Sequence, residues 1–130
     1  MKVTALARGL KISARKLRTS ADMIRNTRVV EAEHLLAATP KKGAVMVADA
    51  LKSAVANAEN NHNLRKSSLR IAEIRVDEGS SLKRWKPRSR GMMHPILHRS
   101  AHLTVVVTDE AAPVKKKQAK QLVKAGKDTK

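Results

Sequence analysis

The stretch SLKRWKPRSRGMMHPILHRS, residues 81 to 100, carries six Lys/Arg and two His with no Asp or Glu, and its Trp85 is the only aromatic residue in the chain. Two runs that read as strands flank it. Before it, SLRIAEIRVDE (68–78) sets Ala72, Ile74 and Val76 on one side, and the change from the Leu69/Ile71 phase predicts a bulge near Ala72. After it, SAHLTVVVT (100–108) alternates, with Ala101, Leu103, Val105 and Val107 inward and His102, Thr104, Val106 and Thr108 outward. More than twenty residues lie between the runs, too many for a hairpin turn or for a structureless loop in a compact domain. If the strands pair and continue outward, residues from about 79 to 100 form a two-stranded ribbon whose arms, about ten residues each, reach roughly 33 Å from the sheet.

Such a ribbon has no core. Its large apolar side chains are Leu82, Trp85, Met92, Met93, Ile96 and Leu97, and Pro87 and Pro95 are expected to remove ladder donors. A free two-stranded ribbon is marginal in water, so an external surface has to hold it. Lys83, Arg84, Lys86, Arg88, Arg90 and Arg99 are suited to neutralising phosphates, and Gly91 permits a sharp turn at the tip. With six to eight phosphates contacted, log K falls against log[salt] with a slope of about −5 to −7. Trp85 has two readings, stacking on an unpaired base or packing on Met92, Met93 or an arginine stem across the ribbon.

Outward from the ribbon, the chain reads as strands and amphipathic helices. A first strand spans Val3 to about Leu10, with Val3, Ala5 and Ala7 alternating against Thr4, Leu6 and Arg8. Ser13 is placed to cap a helix running to about Asn26, with Leu17, Ala21 and Ile24 on one face and Arg15, Arg18, Asp22 and Arg25 on the other. There Asp22 reads as an orienting partner for Arg18 or Arg25. A second helix, Val30 to about Ala38, is expected to bury Ala32, Leu35 and Leu36. Thr39-Pro40 reads as a cap and first position for a third helix to about Asn60, facing inward with Ala44, Val47, Ala48, Leu51, Val55 and Ala58. On that helix Asn57 either bonds to backbone or is exposed. The predicted fold class is α+β: three helices packed on a small three-stranded antiparallel sheet with a long protruding β-hairpin, one domain over residues 1–110. The tail 111–130 has seven Lys and little to bury, so it is expected to be disordered until it meets an anionic surface.

The totals narrow the partner. A net charge of +17 on 130 residues weakens a compact state by self-repulsion unless a polyanion relieves it. Membrane attachment wants a long apolar run or large apolar anchors, and the chain has neither Phe nor Tyr, so nucleic acid is favoured over lipid. With no cysteine there is no disulfide, thiol nucleophile or thiolate metal site. The N-terminus lacks the apolar region of a secretory signal, which leaves a cytosolic address as the expectation.

At this point VDEGSSLKRWKPRSRG (76–91) followed by ILHRSAHLTVVV (96–107), with SARKLRTSADMIRN (13–26) and SAVANAENN (53–61) in order and at the right spacing, resembles the bacterial-type large-subunit ribosomal protein family numbered twenty-two. The resemblance runs from about Val3 to Thr108. It implies a structural, non-enzymatic constituent of the large subunit that binds its ribosomal RNA and assists assembly. It further implies an extended hairpin in the wall of the nascent-peptide exit tunnel, with neighbouring ribosomal proteins and the nascent polypeptide as partners and a cytoplasmic ribosome as the location. By matching position, the RNA-facing residues are Ser13, Lys16, Arg18 and Arg25 near the first helix and Lys83, Arg84, Pro87, Arg88, Arg90 and Gly91 on the hairpin. Arg8, Lys11, Arg15, Trp85, Lys86, His98 and Arg99 complete the expected RNA-binding set, and Arg88, Ser89, Arg90, Gly91, Met92 and Met93 form the tunnel-facing tip. Where the family usually has Gly-Arg-Ala, this chain has Gly91-Met92-Met93, and Pro95 stands where a polar or basic residue is common.

Competing chemistry is weaker. His94 and His98 have the spacing of two zinc ligands on a helix, but Pro95 opposes that helix, and His98 and His102 on a strand would stand about 13 Å apart. No metal, cofactor or small-molecule substrate is expected. Adjacent Asp77 and Glu78 point to opposite faces of a strand, so an ion pair or a turn role at the hairpin base is favoured over acid–base catalysis. Neither a P-loop nor G-x-G-x-x-G occurs. The rival function is a basic architectural protein whose ribbon enters a groove of duplex DNA. An RNA-modifying enzyme is a third, weaker reading without a visible pocket motif.

Overall fold

The structure, a computed structural model, describes residues 1–109, so the basic tail and the expectation placed on it lie outside the described residues. Along the chain run β1 (Lys2–Leu10), α1 (Ala14–Met23), α2 (Val29–Ala38), α3 (Lys42–His62), β2 (Arg70–Glu78), β3 (Leu82–Pro87), β4 (Met93–His98) and β5 (Ala101–Thr108). Short 3-10 turns stand at Lys66–Ser68 and Ser89–Gly91. β1, β5 and β2 form one antiparallel sheet in that order, while β3 and β4 pair only with each other. The last of the described strands is thus the central one, flanked on both sides. This is the predicted α+β class with its protruding hairpin.

Burial follows the alternation. Val3 and Ala5 of β1, Ile71, Ile74 and Val76 of β2, and Ala101, Leu103, Val105 and Val107 of β5 form the inner face of the sheet. The helices cover it with Leu17, Ala21 and Ile24 from α1, Val29, Ala32 and Leu36 from α2, and a long stripe from α3. That stripe is Gly43, Ala44, Val47, Ala50, Leu51, Ala54, Val55 and Ala58, spaced by threes and fours on one helical face. Small residues let α3 lie close to its neighbours. At Gly43 a Cβ would meet Ser20 Oγ at 3.0 Å and the Lys16 carbonyl at 3.4 Å, so this is where α1 and α3 approach. Each fully buried Leu or Ile, such as Leu17, Ile24, Leu51 and Leu103, contributes about 1.5–3 kcal/mol by leaving water.

The bulge predicted in β2 is present: the register with β5 shifts between Ile71 and Glu73, and Ala72 is left half-buried between the two phases. A second shift, between Ala7 and Leu10 of β1, was not signalled by alternation; Gly9 there has φ +68°. Several expectations need correction. α1 ends at Met23 rather than Asn26, because Asn26 adopts a left-handed φ of 63° that terminates the helical path. In α2, Leu35 is 42% exposed, since one helical step past the Val29–Ala32–Leu36 line turns it to solvent. Thr39-Pro40 does not open α3, whose cap position is Lys41; the Thr39 hydroxyl instead donates to the Leu35 carbonyl at 2.7 Å and closes α2. Ala48 is only half-buried. Val106 and Thr108 face outward as expected yet are buried, because β5 is central and both neighbouring strands flank their side chains.

α3 ends as its NNHN sequence predicts. Asn63 takes φ 51°, its N–H donates to the Glu59 carbonyl, and the Leu64 N–H reaches back to the Ala58 carbonyl, each at 3.1 Å. Asn57 resolves to the bonded alternative, its Nδ2 donating to the Thr4 carbonyl at 3.5 Å, which ties α3 to β1.

Candidate nucleic-acid interface

β3 and β4 pair in register from Leu82↔His98 to Pro87↔Met93. Just beyond, the Arg88 N–H donates to the Met92 carbonyl at 2.8 Å, which fixes the alternation of the ladder. Pairs 86↔94, 84↔96 and 82↔98 exchange hydrogen bonds, whereas 87↔93, 85↔95 and 83↔97 do not. Pro87 and Pro95 therefore both sit where the backbone nitrogen points away from the partner strand. The expected loss of ladder donors does not occur. Instead each free edge of the ribbon carries one proline, which blocks a further strand from adding there.

The same register divides the side chains between two faces. One bears Arg84, Lys86, His94 and His98 with Leu82 and Ile96. The other bears Trp85, Pro87, Met93, Pro95 and Leu97 with Lys83. Every residue of both strands is exposed, and Trp85, whose cross-strand neighbour is Pro95, is 59% exposed. At the tip Arg90 (φ 57°) and Gly91 (φ 69°) are both left-handed; Gly91 was read as the turn residue, while Arg90 shares the turn without sequence warning. His94 and His98 lie on a strand, not a helix. Among the described residues no group of three or more metal-ligating side chains converges.

At its root the ribbon joins the sheet through a one-residue slip. From Glu78 to Leu82 the chain advances four residues while its partner moves only three, from Ala101 to His98. The Gly79 N–H donates to the Ser100 carbonyl at 3.0 Å and the Ser100 hydroxyl to the Ser80 carbonyl at 2.6 Å. A Cβ on Gly79 would stand 2.5 Å from Ser100 Oγ, so the slip needs glycine here. Beside it His102 Nδ1 accepts the Gly9 N–H at 3.0 Å, which couples the β1 bulge to the root and leaves the neutral ring's proton on Nε2. The ion pairs among the described residues are Arg25–Asp22, Lys66–Glu33 and Arg75–Glu73, so Asp77 and Glu78 form none. Glu78 does stand at the hairpin base, in the last pair of β2 with β5.

The expected RNA-facing residues of the body separate into three groups. Lys11, Ser13 and Lys16 line a cleft of about 840 Å³ that faces the hairpin root, with Arg84, His98 and Arg99 lining its other side. Arg15 lines a smaller cleft beside Glu78, Gly79 and Ser81, and Arg8 is exposed on β1. Arg18 and Arg25 turn elsewhere, against the open edge of β2. The Arg18 guanidinium donates to the Val76 carbonyl at 3.1 and 3.3 Å, and Arg25 donates to the Ile74 carbonyl at 3.0 Å and to Asp22 at 2.8 Å. Further along that edge Val29 N–H meets the Leu69 carbonyl and Ile71 N–H the Thr27 carbonyl, while Arg70 reaches the Asn26 carbonyl. Backbone and arginines together cover an edge that would otherwise be free. Lys42, at the start of α3, joins the wall of the larger cleft and was not among the expected residues; only the tertiary crossing of α3 over α1 brings it there.

Comparison with known proteins agrees with this geometry. The family model described as ribosomal protein L22p/L17e matches residues 5–108. The large ribosomal subunit protein uL22 of Clostridium novyi (strain NT) is 45% identical over 111 residues, covering 85% of this chain and all of that protein. Its namesake from Pediococcus pentosaceus is 45% identical over 106 residues, 82% of this chain and 90% of the relative, and that of Lacticaseibacillus casei is 43% identical over 109 residues, 84% and 93%. The matched span takes in all of the sheet but the first three residues of β1, the three helices and the whole cationic ribbon, and the chain belongs to the ribosomal protein L22p/L17e family.

Proposed function

We propose that this protein is a structural constituent of the large ribosomal subunit, in which it binds ribosomal RNA and supports its folding during assembly. The observation that carries this reading is the ribbon itself. It presents five cations on its strands and tip and a sixth at its root, every residue of its strands is exposed, and the body supports it only at its base. An element so built gains order from a polyanion. RNA hides its major groove, so a thin ribbon entering junctions uses phosphates, 2′-hydroxyls and stacking rather than a base code.

On this reading Lys83, Arg84, Lys86, Arg88, Arg90 and Arg99 neutralise phosphates, His98 and Ser13 give polar contacts, and Trp85 on the apolar face stacks on an unpaired base. Lys11, Arg15 and Lys16 extend the basic surface onto the body, with Arg8 at its margin. Arg18 and Arg25 act chiefly on the β2 edge, and any phosphate would share their guanidinium groups with the carbonyls they already hold. The tip from Arg88 to Met93 faces the nascent chain in the exit tunnel, where Met92 and Met93, each 65% exposed, set apolar side chains beside Arg88 and Arg90. Ribosomal particles separated on a density gradient in high-magnesium buffer are expected to carry the protein with the large subunit, and finding it only in the free pool would end this reading. In competition, folded large-subunit ribosomal RNA is expected to displace the protein better than duplex DNA; the reverse order would favour an architectural DNA-binding role.

A further inference from the structure

Resting on the ribosomal-RNA reading, we propose that the cleft between the hairpin root and the start of α3 seats one stretch of RNA backbone. The phosphates seated there lock the ribbon's angle against the body. Five cations converge on the cleft from separate parts of the fold: Lys11 from the turn after β1, Lys16 from α1, Lys42 from α3, Arg84 from β3 and Arg99 from the turn before β5. No Asp or Glu lines it, and none of the five belongs to an ion pair among the described residues. Ser13 stands at the same wall as the cap residue of α1 and makes no side-chain cap bond, so the first-turn amides of that helix add to the positive field.

Like charges held across an open cleft repel, and bound phosphate reverses the sign of that force. The Gly79–Ser100 and Ser100–Ser80 bonds at the root tie the two arms to each other, and among the described residues no hydrogen bond or ion pair joins residues 79–100 to the body, so little opposes a change of angle. Because Arg84 and Arg99 lie on the ribbon side and Lys11, Lys16 and Lys42 on the body side, a polyanion between them draws the two together. Lys42 separates this proposal from a hairpin that binds RNA on its own, since it is remote from the ribbon in sequence and meets it only across the cleft.

The test uses the full chain and a labelled full-length transcript of large-subunit ribosomal RNA. Lys42→Gln is expected to weaken binding about five- to eightfold at 0.1 M salt and to flatten the salt slope by about 0.7–0.9, the counterion release of one phosphate contact. Lys52→Gln, an exposed lysine ten residues along α3 and outside the cleft, is expected to leave both unchanged. The chain has no cysteine, so Ser53→Cys and Ser89→Cys place spin labels on the body and at the tip, and their distance distribution is expected to narrow on adding the transcript. Lys42→Gln matching Lys52→Gln, or a distribution in the doubly labelled chain unmoved by bound RNA, would overturn the cleft while leaving the ribosomal reading intact. Failure of the unaltered chain to bind the transcript would instead remove the reading beneath it.

Discussion

Cutting the ribbon out is expected to leave the body standing and to remove most of its hold on RNA. The variant joins Glu78 to Ala101, which pair across β2 and β5, through Asn-Gly in place of residues 79–100. The excised β3–β4 ladder, a two-stranded pairing marginal in water, contributes little net, which leaves two hydrogen bonds lost at the root, Gly79–Ser100 and Ser100–Ser80, at about 1 kcal/mol each. Replacing a 22-residue connection by two residues lowers the cost of closing β2 on β5 by (3/2)RT ln 11, about 2 kcal/mol. These terms nearly cancel. The excised segment carries six Lys/Arg and no acid, so net charge falls from +17 to +11 (17 − 6) and self-repulsion eases. Urea unfolding followed by far-ultraviolet circular dichroism is therefore expected to agree with the parent chain within about 1 kcal/mol. The salt slope for ribosomal RNA is expected to flatten by about 4–5, six contacts at 0.7–0.9 each. A loss of more than about 3 kcal/mol would show that the ribbon props the body, contrary to its exposure. An unchanged slope would show that the main anchor lies elsewhere.

Other perturbations test separate steps. Trp85 is the only intrinsic fluorophore of its kind in the chain, so its emission is expected to change on RNA binding, and Trp85→Leu to weaken binding about tenfold; an unmoved spectrum would leave the indole off the RNA. Arg18→Met and Arg25→Met are each expected to cost about 1.5 kcal/mol in urea unfolding by uncovering the Val76 and Ile74 carbonyls, and undiminished stability with a loss of RNA affinity would assign these guanidinium groups to phosphate instead. Leu103→Ala, on the middle strand and fully buried, is expected to cost about 3 kcal/mol; a loss below about 1 kcal/mol would mean that β5 is not the core of the sheet.

The elements were legible where pattern and chemistry are local. Alternation in SAHLTVVVT announced β5, the broken phase around Ala72 announced the β2 bulge, and the acid-free run after Ser81 announced the ribbon. What sequence left hidden depends on pairs distant in the chain. That Thr39 serves the helix before it is a competition between two caps that either reading satisfies. The harmlessness of Pro87 and Pro95 depends on ladder phase, which the turn at Arg88–Met92 sets. Arg18 and Arg25 share a helix face with Arg15, yet only the packing of α1 beside β2 shows that two of these three hold a sheet edge. Lys42 enters the basic cleft by a helix crossing that no local pattern encodes.

Amide hydrogen exchange across residues 82–98 of the full chain, at low salt, with and without large-subunit ribosomal RNA, tests most directly whether RNA holds the ribbon in shape. Without RNA these amides are expected to exchange close to the unprotected rate while those of β5 stay protected, and with RNA the ladder amides of Arg84, Lys86, His94, Ile96 and His98 are expected to slow by at least tenfold. Amides already protected in the free protein, and unchanged when RNA is added, would contradict the account.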